Sequence, residues 1–450
     1  MYMADTASPP RRKIVKIVGA SLVGTTVEWY DFFLFASAAT LVFNKLFFPD
    51  SDPLTGTLLA LGSYAIGFLA RPLGGLVFGH YGDKIGRKKL LVLSLLLMGG
   101  ATFAMGLLPT YATIGVAAPI LLTLLRLVQG FALGGEWGGA VLIVSEHGDP
   151  ERRGFWASWP QAGAPGGNLL ATGVLAILAS VQTDAAFESW GWRIPFLLSG
   201  LLVAIGLWIR LSVEESPVFI EAAKKAGGKV EKAPIVTVLR HSWREVLIAM
   251  GARFAENVSY YILTAFILVY ITVGLGMSKS VGLTAVLIGS AVHFVTIPVW
   301  GALSDRLGRR AVYLFGASAM LVWSFVFFAM LDTRSFGLMV LATTVGLVLH
   351  GAMYGPQAAF FSELFGTRVR YSGASIGYQL ASILAGGLAP LIATAMLRDL
   401  GGSLPVSIYV AATCVVTIVA VYLAKETKGS SLAEPERPAS VPGDRTPVTP

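Results

Sequence analysis

Twelve long apolar runs, separated by short polar breaks, make up almost the whole chain. They lie near 16–43, 55–79, 90–108, 113–146, 155–181 and 192–212, then near 245–274, 281–304, 311–331, 336–362, 371–397 and 403–424. A helix of such length crosses a hydrocarbon layer about 30 Å thick. The pattern therefore predicts an all-α membrane protein of twelve transmembrane helices. Polar breaks divide it into an N-terminal segment (1–15), a first six-helix bundle (16–212), a linker (213–243), a second bundle (244–424) and a tail (425–450). Glu214-Glu215-Ser216-Pro217 and the lysines 224, 225, 229 and 232 leave the linker without a sustained apolar face. The Pro-, Ser- and Glu-containing tail has the composition of a disordered segment.

The two bundles echo one another. GHYGDKIGRKK, between the second and third runs, returns as GALSDRLGRR between the eighth and ninth. Gly79, Asp83, Gly86 and Arg87 are answered by Gly301, Asp305, Gly308 and Arg309 at one constant offset. Ser145-Glu146, Arg153-Gly154, Gln161 and Gly166-Gly167 are answered, in the same order, by Ser362-Glu363, Arg370, Gly373, Gln379 and Gly386-Gly387. Two ordered echoes imply a duplicated six-helix unit. Within each loop the glycines permit a tight turn. Asp83 and Asp305 suit the N-terminus of a neighbouring helix, and Arg87 and Arg309 suit acids such as Glu146 and Glu363. These residues are expected to form a cytoplasmic gate whose contacts exist only while that face is closed. An ordinary basic loop is the alternative, which the double occurrence disfavours.

Composition agrees with a bilayer as solvent. Charged residues are 13% of the chain, against about 25% in soluble proteins, and mean hydropathy is +0.69. The net charge of +8 is spread over many short loops rather than one patch, so nucleic acid is not an expected partner. Most Lys and Arg fall on the side shared by both termini, the linker and the two repeated loops. Only Lys45, Arg193, Lys279, Arg334 and Arg398 fall on the other side. The positive-inside rule then makes both termini cytoplasmic. A single Cys414 within an apolar run gives no disulfide framework and no metal cluster.

Several ionisable groups remain inside helices, where each costs at least ~2.5–3.5 kcal/mol and needs a partner or a wet cavity. Glu28 and Asp31 share one face of the first helix, Glu28 about 18 Å beyond Lys16. Arg126 and Gln129 share a face of the fourth, with Glu136 nearer the cytoplasm, and Arg253 and Glu256 share a face of the seventh. Asp31, set among Trp29, Tyr30, Phe32 and Phe33, is the leading proton carrier, with Glu28 and Glu136 as alternatives. Arg126 is its expected partner. Arg253, oriented by Glu256, is a candidate carboxylate ligand together with Arg126; a self-neutralised structural pair is the competing reading. Tyr30, Tyr260, Tyr261, Tyr354 and Gln357 are candidate hydroxyl or ring contacts. Glu28 at a solvated outer interface, His293 as a packing histidine and Arg71 as a support for the inner gate are the plainer readings of those three. The acids and bases of both bundles are expected to share one wet pocket at mid-depth.

These motifs resemble the major facilitator superfamily over essentially the whole chain. The repeated loops are similar to its signature between helices two and three and the copy between eight and nine, and RLVQG to its helix-four motif. VEWYDF, RPLGG, RLVQGFALGGEWGGA, SWGWRIPF, EESPVF and VRYSGASIGYQLAS resemble the metabolite:proton symporter family more narrowly. That resemblance implies an inner-membrane secondary transporter, not an enzyme. It implies a proton as coupling ion and no other cofactor, a small-molecule substrate, the lipid bilayer as surroundings and a monomer. It also implies alternating access and uptake of a small carboxylate-bearing metabolite such as shikimate. Symport of proline or betaine is the alternative, and proton-coupled export a further one. HGAMYGPQAAFFSELFG in helix ten departs from the shikimate-type pattern, where substrate contacts are expected.

Overall fold

The computed structural model of the protein describes residues 11–85, 87–134, 141, 144–145, 149–212, 240, 242–365 and 370–430. Among them the chain forms twelve long helices. The first six are α1 (Arg11–Ala38), α2 (Pro53–Ile85), α3 (Arg87–Leu107), α4 (Ala117–Leu133), α5 (Arg153–Val181) and α6 (Arg193–Ser212). The second six are α7 (Trp243–Tyr261), α8 (Lys279–Leu307), α9 (Arg309–Asp332), α10 (Phe336–Leu364), α11 (Arg370–Ala381, continued by Ala389–Leu400) and α12 (Leu404–Leu423). Eight spans are long and apolar enough to cross a membrane unaided, and α6 with the short helix before it makes a ninth, bent by 44°. α3 and α4 carry shorter apolar stretches, Val92–Leu107 and Ala117–Leu133. α1 is the helix that takes two acids, Glu28 and Asp31, into the interior.

Two kinds of local irregularity bend these helices where they meet. Prolines 72, 160, 165, 298 and 356 lie inside α2, α5, α8 and α10, which membrane helices tolerate because neighbours satisfy the freed carbonyls. π turns continue α1 (Ala39–Phe43) and α7 (Ile262–Phe266 and Tyr270–Gly274) and interrupt α11 (Ser382–Gly387).

α5 packs against α1 of its own half and against α8 and α10 of the other; α2 packs against α4 and reaches α11. Small residues set these distances. A Cβ on Gly67 would stand 2.7 Å from Arg126 Nε, so Gly67 is what lets the arginine lie flat between α2 and α4. A Cβ on Gly301 would meet Gly154 O at 2.5 Å and Ser158 Oγ at 2.6 Å, so α5 and α8 touch backbone to backbone. Close approach through small residues is how helices associate in lipid.

Candidate functional site

At the end of the bundle that carries the α2–α3 and α8–α9 turns, the second repeat ties the two halves together. Asp305, late on α8, accepts from the amides of Gly154 (2.7 Å) and Phe155 (2.9 Å), the first exposed N–H groups of α5. A carboxylate on unpaired helix amides is stabilised by both hydrogen bonding and the helix dipole. Arg309 binds Asp305 (2.7 Å), Ser304 (2.7 Å) and both oxygens of Glu363 (3.2 Å each). Arg153 of the first half reaches the same Glu363 at 2.8 Å. Gly308 turns the chain between α8 and α9 at φ +99°, a conformation that favours glycine. In the first repeat, Gly86, Glu136 and Glu146 lie outside the described residues; Gly79, Asp83 and Arg87 are placed in α2 and α3 by their backbone alone.

Beyond α12 the chain folds back over these contacts. The Glu426 carboxylate accepts from the amides of Arg309 (2.9 Å), Arg310 (3.1 Å), Thr427 (3.0 Å) and Lys428 (3.0 Å). Partial burial opposes its ionisation, but these N–H groups win and hold the carboxyl below its ordinary value. Thr427 Oγ1 donates to Glu363 at 2.8 Å, and Arg153 reaches the Ser430 carbonyl at 3.1 Å.

The intramembrane charges point inward: Glu28, Asp31, Arg71, Arg126, Arg253 and Glu256 are all at most 5% exposed. They do not share one pocket, which corrects the expectation drawn from their spacing. Two hydrogen-bonded clusters stand apart. In the first half, Ser199 of α6 donates to Asp31 at 2.7 Å, and Thr102 of α3, whose hydroxyl donates to the Met98 carbonyl at 3.0 Å, stands beside the same carboxylate. Thr102 also accepts from Gln129 (2.6 Å), and Gln129 accepts from Arg126 (2.8 Å). Asp31 and Arg126 are therefore separated by two neutral side chains, Thr102 and Gln129, rather than joined as an ion pair, and Ser199 is the donor on the carboxylate. In the second half, Arg253 binds Glu256 (3.0 Å) and Gln357 (2.9 Å), and lies over the Tyr378 ring at 3.2 Å. Gln357 also donates to Glu256 (3.2 Å) and to Tyr313 (2.9 Å).

An aromatic layer lies between the clusters. Phe32 and Phe33 of α1 meet Tyr261, and Phe33 also meets Tyr260; Tyr64 and Phe68 of α2 pack on Tyr261 as well. Two guanidinium groups are set into this layer. Arg126 lies 4.5 Å from the Phe32 ring centre and 4.6 Å from that of Tyr64, Arg71 4.5 Å from Phe32 and 4.0 Å from Phe68. Among the described residues, Nε and Nη2 of each arginine have no hydrogen-bond partner. At the far end of the bundle, Lys279 binds Asp184 at 2.5 Å and so ties the two halves together.

Between the halves remains a cavity of about 20 Å3, room for a single water, lined among others by Glu28, Arg71, Gln161, Tyr378 and Gln379. Glu28 is thus an interior residue, not one at a solvated outer interface. Small-molecule pockets run to ~300–1,000 Å3, so any cargo requires the halves to move apart. Gln161 and Gln379, the paired echoes, each cross to the other half. Gln161 reaches the Tyr354 carbonyl and Gln357 at 3.5 Å, and Gln379 donates to the Gly134 carbonyl at 3.0 Å.

A model of the sugar (and other) transporter family matches residues 16–438. The chain belongs to that family, within the major facilitator superfamily. It is 42% identical to the inner membrane metabolite transport protein YhjE of Escherichia coli, over 93% of this chain and 95% of that one. Identity to the shikimate transporter of the same species is 40% (91% and 94% covered), and to its proline/betaine transporter 35% (93% and 85%). Among solved structures, a D-xylose-proton symporter superposes with a TM-score of 0.73 at 17% identity, covering 93% of this chain and all of that one. The protein is a multi-pass inner-membrane transporter of small molecules.

For this transporter the structure rearranges the candidate roles. Tyr30 is not free for a ligand: its hydroxyl donates to the Pro195 carbonyl of α6 at 2.6 Å, which fixes α1 to α6. Tyr260 and Tyr354 stack instead on His350, at 5.0 and 5.4 Å between ring centres. Arg71 moves from gate support to cavity wall. Its sequence signal is that of Arg126, a charge inside an apolar run, here followed by Pro72 within α2. His293 and His350, on different helices, are joined at 3.0 Å, a pairing that sequence spacing does not reveal.

Proposed function

We propose that this transporter is a proton-coupled symporter that takes up a small carboxylate-bearing metabolite, such as shikimate or another organic acid, by alternating access. Arg71 and Arg126 carry the proposal: two buried guanidinium groups stacked on Phe32, each with two N–H-bearing nitrogens lacking a partner. Unpaired buried donors are costly, and a planar carboxylate is the group that a guanidinium binds best. Asp31 is the proton carrier of this scheme, with Glu28, on the cavity wall, as the alternative. Protonating Asp31 removes the charge beside Thr102, at the end of the Arg126–Gln129–Thr102 chain, so that Gln129 is free to reorient and Arg126 to turn toward the cargo. Arg253 is the corresponding ligand of the second half, held by Glu256 until cargo arrives.

In this reading the two bundles rock about the site, the protein acts as a monomer, and the gate with both termini faces the cytoplasm. The proline/betaine relative suggests a rival cargo, and an aromatic layer is what a quaternary ammonium seeks. Here the faces of Phe32, Phe68 and Tyr64 are already taken by arginines, which repel a cation. Uptake of labelled shikimate and labelled betaine into vesicles with an imposed inward proton gradient, at matched osmolality, separates the two. Accumulation of betaine with no uptake of shikimate would overturn the carboxylate assignment.

A further inference from the structure

The second half contains a titratable chain that the scheme above does not use. His350 Nδ1 and His293 Nε2 are 3.0 Å apart, and His350 Nε2 lies 3.4 Å from Glu256 Oε1. Both rings are fully buried, and among the described residues neither His293 Nδ1 nor His350 Nε2 has a hydrogen-bond partner, so the 3.4 Å approach of His350 to Glu256 must tighten for a proton to pass. The surrounding titratable groups are Arg253, Glu256 and Tyr260 from α7, Tyr354 from α10, Tyr313 from α9 and Tyr378 from α11. α5 faces α8 with Asn168, which donates to Ser290 at 3.0 Å.

We infer that His293 and His350 form a buried proton relay ending on Glu256, whose protonation releases Arg253. The tautomers follow from the geometry. One nitrogen of the 3.0 Å pair must donate and the other accept. If His350 donated from Nδ1, its bare Nε2 would face the carboxylate of Glu256, lone pair against lone pair. An ionised Glu256 therefore selects the opposite arrangement, with His350 protonated on Nε2, His293 donating from Nε2, and His293 Nδ1 bare. That bare nitrogen is the entry point.

A proton taken up there makes His293 an imidazolium. His293 then passes its Nε2 proton to His350 Nδ1 and is left neutral, protonated on Nδ1. His350, now carrying protons on both nitrogens, gives its Nε2 proton to Glu256. In the end state the direction of the chain is reversed, with neutral Glu256 donating toward His350 Nε2 and His350 donating from Nδ1 to His293 Nε2. One proton separates the two states, and within the His293–His350–Glu256 chain each contact has one donor and one acceptor in both of them, while His293 Nδ1 holds the added proton. In the second state the carboxylate charge that holds Arg253 is gone, which leaves the guanidinium to Gln357, Tyr378 and an incoming anion.

The purpose of the relay rests on the symport reading, but its existence does not. Ring-15N spectra of the histidine-labelled transporter in nanodiscs test it directly between pH 8 and pH 5. Spectra of His293→Gln and His350→Gln assign the two rings among the five histidines. At pH 8 both rings are expected as Nε2–H tautomers, and on acidification both switch together to Nδ1–H. In His293→Gln the glutamine amide still donates to His350 Nδ1, so His350 keeps its Nε2–H form throughout. Rings that retain their tautomers down to pH 5, or a His350 that titrates unchanged in His293→Gln, would overturn the relay. In a parallel assay the KM for labelled shikimate counterflow falls severalfold from pH 8 to pH 6 in the wild type and stays flat in His293→Gln. Failure of shikimate uptake altogether sinks the carboxylate reading, while the ring spectra still decide the relay.

Discussion

Replacing Asp305 by asparagine isolates the gate contact between the two halves. The aspartate accepts from Gly154 N and Arg309 through Oδ1 and from Phe155 N through Oδ2. Asparagine keeps one acceptor oxygen and turns an NH2 group toward the remaining amide. A buried N–H without a partner costs about 1–3 kcal/mol, and the negative charge lost from a helix N-terminus about 0.3–1 kcal/mol. A total near 2 kcal/mol is toward the low end of that range. Because α5 belongs to the first half and α8 to the second, the loss falls on the state closed at this end. About 2 kcal/mol corresponds to roughly a 30-fold rise in the open-to-closed ratio. Ser158, fully buried against Gly301, is a reporter position. A Ser158→Cys variant in a Cys414→Ser background should react with a small maleimide about 30-fold faster once Asp305→Asn is added. A change of less than threefold would refute the gate assignment.

Other outcomes follow from the same geometry. Glu256→Gln leaves Arg253 buried without its counter-ion, which typically costs about 3–5 kcal/mol; thermal unfolding in detergent should show a clear loss of Tm, larger than that of the double variant Arg253→Met/Glu256→Gln. Gly67→Ala puts a Cβ 2.7 Å from Arg126 Nε; overpacking of this kind costs about 1–3 kcal/mol, and transport should fall further than the modest Tm change accounts for, because Arg126 is displaced. Glu426 is held below the ordinary carboxyl value of 4.5. Its contribution to stability is therefore complete above about pH 4.5 and lost as pH falls through the lower folded-state value. The Tm of the wild type should thus drop more steeply than that of Glu426→Gln between pH 5 and pH 3.

The sequence made the architecture legible for a simple reason: in lipid, the apolar runs and their polar breaks are the fold. Positions that the breaks and echoes mark, such as Gly301, Asp305, Gly308 and Arg309, were readable for the same cause, since polar residues at a helix turn have few roles. Pairings inside the bundle were not readable. Asp31 and Arg126 have the pattern of partners, both charged and on inward faces, yet Thr102 and Gln129 lie between them. Gln129 is legible beside Arg126 on α4, but the hydroxyls of Thr102 and Ser199, on two other helices, leave no mark on helical spacing. His293 and His350 lie 57 residues apart on helices whose relative rotation is set by packing. Tyr30 likewise presents an inward hydroxyl, and only the bent entry to α6 shows that Pro195 O claims it.

Proton coupling through the first-half cluster is the central claim, and proton-driven accumulation in reconstituted vesicles tests it most directly. Wild-type protein should concentrate labelled shikimate inside vesicles under an imposed pH gradient, with alkalinisation of the outer medium as protons enter. Asp31→Asn should still exchange internal for external shikimate but accumulate none above equilibrium. Full gradient-driven accumulation by Asp31→Asn would contradict the account.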